Sequence, residues 1–200
     1  MGKYQKGILL VVLVLVSGTF SYWLYMNVFF FYAATLFREL YYYFWGEYWV
    51  PLFIILLMTF FLSSFLYQLL MKRYSRTWIN FFYVIYAVCM LYLLFFKNIS
   101  ISGTEWNLLS FVGDFIYGDR MIVVLNVIMF IPLGLLLPFS KKNSAMVLFV
   151  IFLIESLQLI LHLGFFDLGD IVTNFTGYLI GAIIASTTLF KSTITKRITN

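Results

Sequence analysis

Seven side chains with chemically useful heads stand out in the second half of this sequence: Asn126, Glu155, Gln158, His162, Asp167, Asp170 and Asn174. Glu155, Gln158 and His162 are spaced i, i+3 and i+7, which lines them along one face of a helix. A carboxylate, an amide and an imidazole on one face can transfer a proton, grip a polar head group or hold a cation through oxygen. Nucleophilic hydrolysis fits less well, because Ser156 adjoins Glu155 but lies on a different helical face from His162. No spacing matches a metal motif such as HExxH, so neither a metal nor another cofactor is expected.

The elements that carry these residues are very apolar. Of 200 residues, 64% are hydrophobic and 10% charged, with a mean hydropathy of +0.99. A soluble domain of this length has too little interior for that much apolar surface, so the excess must face lipid. The net charge of +5 would point to nucleic acid in a soluble protein. In a membrane protein it reports cytoplasmic loops and anionic head groups, and no nucleic-acid partner is expected. A single cysteine, Cys89, excludes an intrachain disulfide.

A helical span needs roughly 20 mostly apolar residues to cross hydrocarbon. Six segments qualify, near Gly7–Phe31, Val50–Met71, Ile79–Phe96, Met121–Phe139, Ser144–Leu163 and Ile171–Phe190. The predicted fold is therefore all-α, a polytopic membrane bundle of about six helices. The first span has the outline of a signal peptide, but apolar residues run on to Phe37, so it is read as uncleaved. With the N-terminus inside, ten Lys and Arg fall in inner segments: Lys3, Lys6, Lys72, Arg73, Arg76, Lys141, Lys142, Lys191, Lys196 and Arg197. Only Arg38, Lys97 and Arg120 fall outside. That bias predicts cytoplasmic N- and C-termini and an outer loop carrying Asp167 and Asp170.

Two outer segments have more character than loops. Arg38–Trp49 (RELYYYFWGEYW) reads as an aromatic belt at the head groups. Leu108, Phe111, Val112, Phe115 and Ile116 recur at helical spacing, which predicts a short interfacial helix near 105–117.

Polar residues within spans are expensive, so their clustering is informative. Asn126 falls in the outer half of span four, and Glu155 roughly 12 Å below the outer end of span five. Asp170 is placed to cap span six, with Asn174, Gly177 and Gly181 following on its face; Asp167, three residues earlier, is harder to read as a cap. The pattern predicts a polar cavity open to the outside. Gly177 and Gly181 form GxxxG, a close-packing face for span four or five, or for a second copy. Pro132 and Pro138 bracket Gly134, where a kink or break in span four is expected.

These residues together resemble the VanZ-like family of bacterial membrane proteins. Asn126, Phe130, Pro132, Gly134 and Pro138 fit its N…F-x-P-x-G-x-x-x-P element, and Glu155 with Gln158 its Glu-x-x-Gln. Phe166, Asp167, Asp170, Asn174, Gly177 and Gly181 fit its F-D-x-x-D-x-x-x-N-x-x-G-x-x-x-G. Asn107 to Phe111 look like an upstream N-L-x-P-F, with Ser110 in place of Pro. The likeness covers Asn107 to Phe190. Two further departures are Gly164, where members often carry a basic residue, and Gly169, where they often carry a second acid. The resemblance implies a role in the bacterial envelope, since the family's namesake is associated with teicoplanin resistance.

The expected organisation is spans one and two over residues 1–78, a VanZ-like region over 79–190 and a cytoplasmic tail over 191–200. The expected function is an outward polar pocket, in a multi-pass bacterial plasma-membrane protein, that binds an amphipathic envelope molecule. Asn126, Glu155, Gln158 and Asn174 would hydrogen-bond its polar part, Asp167 and Asp170 would form the rim, and His162 would complete the pocket. Membrane lipid is one expected partner, and a lipoglycopeptide antibiotic or a lipid-linked cell-wall precursor the other. Transport or flipping of such a molecule, and intramembrane catalysis on it with Glu155 or Asp170 as acid or base, are the alternatives; the sequence leaves turnover and oligomeric state open.

Overall fold

The computed structural model describes residues 2–30, 33, 37, 45–71, 73–95, 101–118, 120–187 and 198–199. Among these, long apolar runs without strict alternation form helices, because a helix satisfies its own backbone wherever water is absent. Helix α1 spans Lys3–Leu24 and continues through one π-helical segment, Tyr25–Phe29. Helices α2 (Gly46–Met71) and α3 (Arg76–Phe95) follow, separated by the two-residue strand β1 (Tyr74–Ser75). Then come strand β2 (Ile101–Glu105), helices α4 (Ser110–Tyr117), α5 (Arg120–Leu136) and α6 (Lys141–Ile160), strand β3 (Leu163–Asp167) and helix α7 (Leu168–Ser186). A last short strand, β4 (Ile198–Thr199), pairs parallel with β1.

Five of these helices, α1 (with its π-helical extension), α2, α3, α6 and α7, are long and apolar enough to cross a membrane. The fourth expected span is shorter: α5 has 17 residues, about 26 Å at 1.5 Å per residue. It runs unbroken through Pro132 and stops at Leu136, since Pro138 disfavours helical geometry in the residue before it. The expected aromatic belt falls mostly on 38–44, and Lys72, Lys97, Phe190, Lys191, Lys196 and Arg197 also lie outside the described residues.

The chain divides into two compact units, Met1–Ala87 with Arg197–Asn200, and Val88–Lys196. In the first, α1 packs on α2 through small side chains: Gly18 meets Thr59, while Ser17, Ser21 and Ser63 are buried. Stacked and edge-on rings of Phe61, Trp78 and Phe82 join α2 to α3.

The second unit is built around α7. Half of its apolar window is buried, against 22% for α6. Helix α7 runs parallel to α5 at near-backbone contact. A Cβ on Gly177 would run into the Val127 carbonyl oxygen, one on Gly181 into that of Ile131, and one on Gly134 into that of Tyr178. The GxxxG face is thus occupied within the unit by α5, the close approach that small residues allow. Helix α6, capped by Ser140 Oγ on the Asn143 amide at 3.0 Å, returns antiparallel along the other side. Phe130, Val147, Ile151, Phe166, Ile171, Tyr178 and Ala182 form the shared core.

The second unit also contains a small sheet that the apolar pattern alone does not mark. Strands β2 and β3 form a parallel ladder, Ile101 opposite Leu163 through Glu105 opposite Asp167. It brings Trp106 onto Phe166 with ring centroids 5.2 Å apart. Phe152 meets Phe166 edge-on from α6 at 5.6 Å, which seats this ring in the core just before Asp167.

Candidate functional site

Three helices contribute one column of side chains each to the core of the second unit. On α5 the column is Asn126, Phe130, Gly134; on α6, Val147, Ile151, Glu155; on α7, Asn174, Tyr178, Ala182. Gly134 packs against the backbone of Tyr178 and Ala182, and Phe130, Val147, Ile151, Tyr178 and Ala182 share one buried cluster. The polar residues lie at the end of these columns nearest Asp167 and Asp170.

Glu155 and Asn174 are the buried members of that polar end, at 1% and 2% exposure. Neither Glu155 Oε2 nor Asn174 Oδ1 has a hydrogen-bond partner among the described residues. The Asp167 backbone hydrogen-bonds to the Glu155 carboxyl group, and Asp170 and Asp167 are the charges that act on it. Helix α6 ends at Ile160, not Leu163, so Glu155 sits about 8 Å below its end. This is shallower than expected, because β3 takes over the last residues of the apolar run.

The two aspartates exchange the roles expected of them. Asp167 is the N-cap of α7, its Oδ1 accepting from the Gly169 amide at 2.7 Å. It also accepts from Ser110 Oγ at 2.8 Å, which ties α4 to the start of α7. Asp170 lies inside the first turn and accepts a 2.8 Å hydrogen bond from Asn126 Nδ2 on α5. Leu168 and Gly169 join the helix because the Asp167 carboxylate satisfies the free amide of Gly169, and this moves the cap three residues upstream.

Gln158 and His162 belong to the margin. Gln158 Nε2 donates to the Leu94 carbonyl at 2.9 Å, fastening α6 to the end of α3. His162 lies beyond the end of α6 with φ of 54°, is exposed, and has Nδ1 3.1 Å from Ser102 Oγ on β2. Its i+7 spacing from Glu155 does not place it on the same face, because the helix has already ended. Arg120 is exposed and reaches back to the Ile116 carbonyl.

Sequence reasoning passed over two participants. Tyr178 is wholly buried and its hydroxyl is unpartnered among the described residues; its position four residues after Asn174 was the available signal. Ser110, which departs from the family's motif, holds Asp167. Gly169 packs so closely against Ser110 Oγ that a Cβ would collide with it, and would lie 3.0 Å from the Phe111 nitrogen.

Chemically, this end of the unit gathers the carboxyl groups of Glu155, Asp167 and Asp170 with the side-chain amides of Asn126 and Asn174, a set of groups that can form hydrogen bonds.

The model of the VanZ/LLP1 family matches residues 48–191. A chain matched over that much of its length belongs to the family, and with its long apolar helices it is a membrane protein of the VanZ family. Comparisons with curated proteins and with solved structures found no match. The family match extends upstream of the Asn107–Phe190 likeness to take in α3 and nearly all of α2.

Proposed function

We propose that this protein is a multi-pass bacterial plasma-membrane protein whose polar layer opens outward and binds the head of an amphipathic envelope molecule. The binding would contribute to resistance to teicoplanin-type glycopeptides or to handling of an envelope component. The observation that carries this reading is the burial of Glu155 and Asn174, each with a side-chain oxygen that has no hydrogen-bond partner among the described residues, and the closeness of Asp167 and Asp170 to Glu155. A buried polar group left unpaired costs on the order of 1–3 kcal/mol, and polar groups at membrane depth are functional by default. The positive-inside count supports placing Lys141 and Lys142 in the cytoplasm and the polar layer at the outer face.

Binding is favoured over passage by the packing of this unit. A flippase needs a polar route inward, whereas Phe130, Val147, Ile151, Tyr178 and Ala182 pack into one buried cluster within the same unit.

The test is the teicoplanin susceptibility of a sensitive Gram-positive host expressing the wild type, Glu155→Gln or Asp170→Asn at matched membrane levels. Protection by the wild type alone is the expected result. No protection from well-expressed wild type would remove the resistance role.

A further inference from the structure

We infer that α4 is a lipid-seated anchor: an apolar arc on its free side rests among acyl chains while its packed side holds the start of α7. Val112, Phe115 and Ile116 fall on one side of the helix, with Leu109 at its N-cap and Leu108 just before it, and all five are exposed. Ser110 and Phe111, on the other side, are half-buried where α4 meets α7, and α4 also packs on α5. Asp114, at i+4 from Ser110, is the single charge between Trp106 and Tyr117, so the arc carries none.

What covers this arc is lipid. Helix α4 ends at Tyr117 and α5 begins at Arg120, and the exposed apolar surface resumes on α5 at Val124 and Ile128. The arc is thus continuous along the chain with the surface that a membrane protein turns to hydrocarbon. Exposed Trp106 and Tyr117 flank it, and such amphipathic rings gather where a membrane meets water. Trp106 stays exposed although its ring also meets that of Phe166. No Lys or Arg lies between these two residues, so the seat is on acyl chains and not on anionic head groups.

The other side of α4 gives the seat its consequence. Asp167 Oδ1 accepts from Ser110 Oγ at 2.8 Å and from the Gly169 amide at 2.7 Å. One oxygen therefore joins α4 to the first turn of α7, and a bilayer that steadies α4 steadies that turn. Either leaflet serves, so the anchor does not depend on the outward orientation proposed above.

Full-length protein in phosphatidylcholine nanodiscs would carry one nitroxide at a time in a Cys89→Ser background. The label would be attached through Val112→Cys, Ile116→Cys or Gly113→Cys, the last at a position with open space for a side chain. Expected is a ratio of oxygen to water-soluble nickel collisions several-fold higher for the first two than for the third. That is the pattern of a face about 5–10 Å into the boundary between head groups and acyl chains. Nickel access at all three positions would put the arc in water. Shielding of the first two from both reagents would put a protein surface on it, a second copy included. Either result overturns the lipid seat. The link to α7 is read by hydrogen exchange of the peptide holding the Gly169 amide. Val112→Asp, which charges the arc, should speed that exchange, and Gly113→Asp, with the same charge beside the arc, should not. Equal exchange in the two would overturn the link. The labelled positions are exposed, so the seat is decided even where Val112→Asp fails to fold.

Discussion

Ser110 donates a 2.8 Å hydrogen bond to Asp167, and Gly169 packs against the hydroxyl that makes it. The two positions looked like independent departures from the family's sequence pattern, with Ser in place of Pro and Gly in place of a second acid. In the folded chain they touch. A proline at 110 could not hold Asp167, and an acid at 169 would collide with the serine, so each departure makes sense of the other. The pair clamps α4 onto the N-terminus of α7 at the rim of the polar layer.

This contact sets a first expectation. Ser110→Ala should cost about 1 kcal/mol, the net worth of one hydrogen bond. Gly169→Ala should cost more in the native background than in Ser110→Gly, where the colliding hydroxyl is gone. Thermal unfolding of the two singles and the double in detergent should show a coupling of at least about 0.5 kcal/mol. Strict additivity would mean that the contact carries no energy.

The α5–α7 seam gives a second. Gly181→Leu places a side chain against the Ile131 carbonyl and should lose most of the folded yield, since overpacking commonly costs about 1–3 kcal/mol or more. Because this face is filled from within the unit, the loss should be in monomer stability. If Gly181→Leu left the monomer intact and changed only the oligomeric state, the internal packing would be wrong.

His162 gives a third. Its φ of 54° lies in the left-handed region that glycine occupies without strain. His162→Gly should leave the melting temperature unchanged or raise it, with a gain of up to about 1 kcal/mol offset by the lost Ser102 contact. A marked loss of stability or of ligand binding would restore His162 to the site.

Gln158 is expected to fasten and not to bind. Gln158→Leu should speed amide exchange at the end of α3, where the Leu94 carbonyl loses its donor, while teicoplanin protection at matched membrane levels is kept. A loss of protection as large as that of Glu155→Gln would make Gln158 a ligand contact.

Much of this arrangement was readable in the sequence where the signal is local. Long apolar runs marked the helices, and the spacing of Gly177 and Gly181 marked a close-packing face. Where the outcome depended on distant partners, the reading failed. Leu163–Asp167 looks like the tail of a helix followed by a loop, and becomes a strand only because Ile101–Glu105 lies beside it. That strand ends α6 early, turns His162 away and moves the cap of α7 to Asp167. The i, i+3, i+7 spacing was sound arithmetic applied past the end of its helix.

The measurement that tests the central claim most directly is the sidedness of the polar layer. In a Cys89→Ser background, which removes the exposed native thiol, single cysteines would replace Thr104 on β2 and Lys142 at the start of α6. Intact cells would be treated with a membrane-impermeant maleimide. An outward layer requires Thr104→Cys to label in intact cells and Lys142→Cys to label only after permeabilisation. The reverse pattern would put Glu155 and Asn174 beneath the cytoplasmic face and contradict an outward-facing head-group site.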